Sequence, residues 1–215
     1  TAKSVTFLGR TLVKELNKVV IENGFEVILS DTDSSFCKFP DDWPIEKCLV
    51  EADELEKKIN SHLEIFYHTI VKNPDLKNIL HVDCENFYDR LICFGVKKKY
   101  AGVQSISKKI KLDTPKLKFV GVDIVRRNTP LPVKPVLKKI FEMVLFDKTQ
   151  YEINEYLNGE ISKLMKMDLF DIGVPVGLGK PIVEYTTKVQ HVEAFKWSNE
   201  NLKLNFQTFD KARMI

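Results

Sequence analysis

Apolar residues recur at three- and four-residue spacing through Leu8, Leu12, Leu16, Val19 and Val20, which predicts a helix with one buried stripe. Asn23-Gly24 is its stop signal. Phe25 to Leu29 then reads as a short apolar strand, Asp31-Thr32-Asp33-Ser34 as a tight polar turn, and Ser35 to Phe39 as a returning strand. The expected element is a β-hairpin with two carboxylates at its tip. After Pro40 and Pro44 a long helical period runs through Ile45, Leu49, Ala52, Leu55, Ile59, Leu63, Phe66 and Ile70, and Pro74 is expected to close it. From Ile79 to about Val125 apolar and polar residues alternate, with β-branched and aromatic types recurring, so several strands are expected. Asp83 and Glu85, two apart on such a strand, would point to one face.

At Thr129-Pro130-Leu131-Pro132 the character changes. Leu137, Ile140, Phe141, Val144 and Leu145 predict an amphipathic helix, and a second follows from about Tyr151 to Met167. Gly173 to Pro181 reads as a Gly/Pro-rich loop, and a last helix is expected to carry Val192, Phe195 and Trp197. Trp43 and Trp197 are expected to be packing residues. The pattern gives an α+β fold class with a boundary near Asn128, mixed α/β before it and mostly helical after it.

Composition narrows the class. A chain of 215 residues can bury roughly 70% of its unfolded surface, so it needs no disulfide scaffold. Its 44% hydrophobic and 29% charged content exclude a disordered or collagen-like chain. No uninterrupted apolar run is long enough to span a membrane. Cys37, Cys48, Cys84 and Cys93 have no C-x-x-C spacing, and His62, His68, His81 and His191 do not accompany them, so reduced thiols in an intracellular protein are expected rather than a zinc site. The chain begins at Thr1 without a basic, apolar leader-like run.

Charge is unevenly placed. From Asp31 to Arg90 there are 14 Asp/Glu against 7 Lys/Arg, whereas from Lys97 to Arg127 there are 10 Lys/Arg against 2 Asp. Such a basic block is either a solvated face or a polyanion-binding surface. Two carboxylates on one turn repel each other unless a divalent cation neutralises them, so Asp31 and Asp33 form a candidate metal element. Bare D-x-D also occurs in nucleotide-sugar transferases, but the nucleotide-binding α/β half such an enzyme needs is not evident. Gly173 to Pro181 fails as a phosphate loop, because five residues separate Gly173 from Gly179 and Pro181 stands where Ser or Thr would hold magnesium.

The longer string Asp31-Thr32-Asp33-Ser34, flanked by strands, resembles the palm motif of family B DNA polymerases, usually Y-G-D-T-D-S. Lys97-Lys98-Lys99-Tyr100-Ala101-Gly102 is similar to the family's K-K-R-Y-A-G element, which tracks the duplex minor groove. Gly121-Val122-Asp123-Ile124-Val125-Arg126-Arg127-Asn128-Thr129-Pro130 is similar to the G-x-E-x-V-R-R-D-T-P string at the palm-to-thumb junction, and His191-Val192-Glu193-Ala194 resembles a thumb pattern more loosely. The strings come in family order and span essentially the whole chain. Leu29 and Ser30 stand where Tyr and Gly are usual, and Lys99 replaces Arg, which affects turn geometry more than membership.

The resemblance implies an antiparallel-sheet palm with packed helices over residues 1–128 and a mostly helical thumb over 129–215. It implies Asp33 as the direct ligand of Mg2+, Asp31 close beside it, and Asp83 and Glu85 as a supporting acidic pair on the neighbouring strand. Phosphoryl transfer from a nucleoside triphosphate fits such a site, because two metal ions can neutralise both the triphosphate and the attacking oxygen. Lys98 and Tyr100 match positions that reach the primer end, and Lys97, Lys99, Lys118, Arg126 and Arg127 would contact duplex phosphates without reading sequence. Lys108, Lys109 and Lys111 are expected to be a solvated turn.

Two family motifs are absent: D-x-x-S-L-Y-P-S, with the first catalytic Asp, and K-x-x-x-N-S-x-Y-G, with the triphosphate-binding Lys. The expected protein is therefore the C-terminal part of a DNA-directed DNA polymerase, split or fragmented. It would act on a primer–template duplex and dNTP only with a complementary chain carrying the remaining palm, the fingers and the exonuclease. Its two-metal Mg2+ site would be completed by a carboxylate from that part. The expected location is intracellular, in cytoplasm, nucleoid or nucleus. The alternative is a non-catalytic nucleic-acid-binding or assembly module in which Asp31 and Asp33 are relics.

Overall fold

The computed structural model describes residues 2–73 and 75–214, without the side chain of Ala2. The elements in chain order are α1 (Ala2–Glu22), β1 (Glu26–Asp31), β2 (Ser34–Lys38), α2 (Ile45–Ile70), β3 (Asn86–Cys93), β4 (Tyr100–Ser107), β5 (Ile110–Val120), α3 (Val133–Leu145), α4 (Gln150–Leu164), α5 (Leu169–Ile172), β6 (Val174–Gly177), α6 (Gln190–Leu202) and β7 (Lys211–Met214). This is a mixture of helices and antiparallel sheet, the α+β class read from the pattern. It divides into two compact units, Thr1–Lys118 and Phe119–Ile215. Among the described residues no helix is long and apolar enough to cross a membrane.

In the first unit the stripe of α1 meets that of α2. Leu16, Val19 and Val20 are buried against Leu55, Ile59 and Leu63, and Phe25, Val27, Cys37 and Val82 pack around them. Gly24, at φ +84°, ends α1: its N–H bonds Ile21 O while Phe25 N–H bonds Val20 O, the paired bonds of a left-handed helix stop. The chain thereby turns directly into β1. Helix α2 ends at Ile70; Pro74, expected to close it, lies outside the described residues. Strands β3, β4 and β5 form a sheet in that order, and β3 pairs β4 antiparallel. Edge strand β5 accommodates Pro115, which a central strand could not.

One expected strand is absent. The stretch 79–85, read as extended and paired, is irregular, and the sheet begins only at Asn86. Side chains of α2 satisfy its backbone instead. Asn60 donates to Val82 O and accepts from Val82 N–H, both at 2.9 Å, and Glu56 accepts from Cys84 N–H at 2.7 Å. Asp83 and Glu85 therefore do not share a strand face.

In the second unit α3 packs on α4, which starts with a capping box: Thr149 Oγ1 accepts from Glu152 N–H and Glu152 accepts from Thr149 N–H. Lys148 and these Thr149 bonds hold the Glu152 carboxyl down at about 2. Leu178, Val192 and Phe195 are the buried centre of a second cluster, with Val176, Ile182, Tyr185, Val189, Phe206 and Ala212 around it. The expected Gly173–Pro181 loop contains a strand, since β6 pairs antiparallel with β7. Trp43 packs as expected, against the touching rings of Phe25 and Phe39. Trp197 does not; it is 57% exposed on α6.

Candidate active site

Strands β1 and β2 form the expected hairpin, with Asp31 paired to Ser34 across a turn of Thr32 and Asp33. Thr32 has φ +52°, uncommon for a β-branched residue and a local strain. The tip is bonded internally: Asp33 N–H reaches Asp31 O at 2.6 Å, Ser34 Oγ donates to Asp31 O at 3.2 Å, and Thr32 Oγ1 donates to Asp31 Oδ1 at 3.0 Å. Asp31 is half-buried, whereas Asp33 is exposed at the apex.

A bulge sets which way these carboxylates face. Val27 pairs with Cys37, but Leu29 pairs with Phe36, so Ile28 is an extra residue. Alternation is reset there. Val27 and Cys37 pack on the helices, as do Ser30 and Ser35 through Asn17 of α1. Leu29, Asp31 and Phe36 occupy the opposite face, and Phe36 packs on the sheet, its ring edge-on to Tyr100 at 5.1 Å between centroids and tilted to Tyr88 at 5.9 Å. Without the bulge, Asp31 would turn toward the helix layer.

The Lys-rich string forms the β3–β4 connection. Phe94 N–H bonds Lys99 O and Lys99 N–H bonds Val96 O, with Gly95 at φ +64° and Lys98 at φ +62°. This tight loop brings Lys98 Nζ to 3.7 Å from Asp31 Oδ1. Lys97 is exposed and Lys99 half-buried. Tyr100 opens β4 and packs on Tyr88, whose phenol is pushed well above its usual range by burial and then by Tyr100. Gly102 permits the close packing beneath: a Cβ there would lie 2.8 Å from both Arg90 O and Tyr88 Cδ1.

The other named residues fall elsewhere. Lys118 is exposed on β5. Arg126 and Arg127 belong to the second unit, exposed after a 3-10 turn over Asp123–Val125, and Arg126 pairs with Asp123 at 3.2 Å. Asp83 pairs with Lys109 at 2.8 Å and lies 3.4 Å from His81, while Glu85 is exposed and its backbone O accepts from Lys109 N–H. The expectation of a solvated Lys108–Lys111 turn needs correction. Lys108 and Lys109, both at positive φ, do make the β4–β5 turn, but Lys109 Nζ also bridges Glu56 and Asp83 at 2.8 Å each. Lys109 holds the Asp83 carboxyl below its usual range. Burial opposes ionisation of Glu56, but the Cys84 N–H and Lys109 outweigh it.

Glu56, His81 and Asp83 come within metal-ligand reach of one another, but Lys109 already places its positive charge there. Asp31 and Asp33 supply hard carboxylate oxygens, the donor type that suits Mg2+. Residues that sequence reasoning missed are Asn17, a polar side chain beside an apolar stripe, and Phe36 and Tyr88, whose contact is long-range. Only Ser30 gave a signal, as an unusual residue before the Asp.

The hairpin thus sets two carboxylates at its tip, with Asp31 beside the Lys-rich loop of an antiparallel sheet. The DNA polymerase family B model matches residues 1–206, so the chain belongs to this family. It is 29% identical to the DNA polymerase delta catalytic subunit of Dictyostelium discoideum, over 89% of this chain and 17% of that protein. It is 25% identical to DNA polymerase II of Escherichia coli, over 93% of this chain and 25% of that protein. It is 32% identical to the DNA polymerase catalytic subunit of human herpesvirus 7, over 74% of this chain and 13% of that protein. The chain thus spans a quarter or less of the length of each of these relatives.

Proposed function

We propose that this chain is the C-terminal portion of a DNA-directed DNA polymerase, with palm over residues 1–128 and thumb over 129–215. It contributes part of a two-metal nucleotidyl-transfer site and part of the grip on the primer–template duplex. The observation that carries the reading is the hairpin tip: Asp31 ends β1 and Asp33 lies on the two-residue turn beyond it, with Asp31 facing Lys98 rather than the helices.

Asp33, exposed at the apex, would hold Mg2+ directly, and Asp31, already bonded by Thr32 and near Lys98, would stand beside it. Bound Mg2+ would neutralise charge on the triphosphate and on the primer 3′-oxygen. Lys98, paired with Asp31 at 3.7 Å, would exchange that carboxylate for a primer phosphate. Tyr100, anchored by Phe36 and Tyr88, would face the primer end, with Lys97, Lys99, Lys118, Arg126 and Arg127 along the duplex backbone. Asp83 and Glu85 take a smaller part than their spacing suggested, since Asp83 is committed to Lys109; they would act through the local field.

The site as described lacks the carboxylate and the triphosphate-binding Lys of the two absent motifs. A complementary chain with the remaining palm, the fingers and the exonuclease would supply them and accept dNTP, in an intracellular setting. Mixing this chain with such a partner and assaying primer extension tests the reading. Extension by the mixture supports it; duplex binding without extension would favour a non-catalytic module.

A further inference from the structure

Beneath the acidic tip, two hydroxyls and one amide form a closed hydrogen-bonded ring. Ser30 and Ser35 are direct cross-strand partners, one step before the Asp31–Ser34 pair. Asn17 Nδ2 donates to Ser30 Oγ at 2.9 Å, Ser35 Oγ donates to Asn17 Oδ1 at 2.6 Å, and the two hydroxyls lie 2.9 Å apart. With the Ser30 hydroxyl donating to Ser35, every group in the ring gives one hydrogen bond and receives one, an arrangement in which the bonds polarise and strengthen one another. All three side chains are half-buried.

This ring grips both strands from one residue of α1. The tip's own hydrogen bonds shape its turn and Phe36 packs on Tyr100 and Tyr88, while the ring is the polar tie from the hairpin to α1. The bulge at Ile28 loosens β1 just before it, the Lys98–Asp31 pair is long and exposed, and Thr32 is strained at positive φ. The ring lies on the hairpin face opposite Asp31, so releasing it would let the hairpin roll and carry the carboxylates with it.

We propose that Asn17, acting through Ser30 and Ser35, is a positioning residue that fixes the tilt at which Asp31 and Asp33 present their oxygens to a divalent cation. The proposal rests on the reading of the hairpin as a metal-bearing element. Asn17 touches neither cation nor substrate; it acts on the ligands by holding their scaffold, as outer-shell groups do at metal sites.

The test uses the 215-residue chain, isotopically labelled, with Mn2+ alone as a paramagnetic probe. Added Mn2+ should broaden the backbone amide signals of Thr32, Asp33 and Ser34, and Asp33→Asn should remove the effect. Asn17→Ala should weaken the apparent Mn2+ affinity by about tenfold while signals of Leu55 and Leu63 keep their positions. Ser35→Ala, a smaller volume change, should act in the same direction if Asn17→Ala folds poorly. A purely structural role would lower the melting temperature and leave Mn2+ affinity of the folded chain unchanged. Wild-type affinity in both variants overturns the positioning role and leaves the metal reading intact. Failure of Mn2+ to broaden residues 31–34 in the wild type overturns both.

Discussion

At the residue scale, geometry separates groups that chemistry alone would treat alike. Asp31 and Asp83 are both carboxylates near a lysine, yet Lys109 sits 2.8 Å from Asp83 and Lys98 is 3.7 Å from Asp31. The first lysine is held by two short ion pairs, to Asp83 and Glu56, and the second by a single longer one. Gly102 shows the opposite constraint, with no room for even one methyl group. Gly102→Ala should destabilise the first unit by about 1–3 kcal/mol, because the Arg90 backbone rather than a flexible side chain must move. Denaturant unfolding would show the loss as a lower midpoint. The D-T-D-S tip was legible residue by residue, since its turn and both strands are local. Asn17 was not, because its partners Ser30 and Ser35 lie across a helix end and a hairpin.

At the element scale, periodicity revealed what depends on a continuous apolar stripe. Helix α2 runs from Ile45 to Ile70 with Ala52, Leu55, Ile59 and Leu63 buried, as the spacing requires. Alternation misled at 79–85, where Asn60 and Glu56 stand in for a neighbouring strand, and no local pattern announces a helix side chain as a backbone partner. Strand β6 was hidden for a related reason: its partner β7 is distant in sequence, and Gly and Pro disguise it. The Lys109 bridge ties the β4–β5 turn to α2, and it carries a pH signature. Asp83 and Glu56 both titrate below their usual range, so their contribution to stability is present above the ordinary carboxylate pKa and is lost as pH falls through the lowered folded values. Lys109→Met should therefore lower the melting temperature most near neutrality, and the gap to wild type should close as pH falls below about 4.5, which flattens the acid limb. An acid limb identical to wild type would show that the bridge does not form in solution.

At the scale of the whole molecule, charge is divided along the chain between an acidic stretch, 31–90, and a basic one, 97–127. If the basic residues grip a duplex, log affinity should fall with log salt by about 0.9 per phosphate neutralised. Replacing Lys98, Arg126 and Arg127 together by Ala should weaken primer–template binding equally on two unrelated sequences and make the salt slope shallower by up to about three units. Anisotropy titrations at several salt concentrations measure both, and an unchanged slope would remove these residues from the binding surface. Asp33→Asn in the same titrations should leave affinity roughly unchanged, because it removes a cation ligand rather than a phosphate contact. The most direct measurement is Mg2+-dependent primer extension by this chain, alone and paired with a chain carrying the absent carboxylate and Lys motifs. Extension should require both chains and fall by far more than tenfold, about 1.4 kcal/mol of barrier, on Asp33→Asn. Robust extension by the 215-residue chain alone, or by the Asp33→Asn pair within tenfold of wild type, would contradict it.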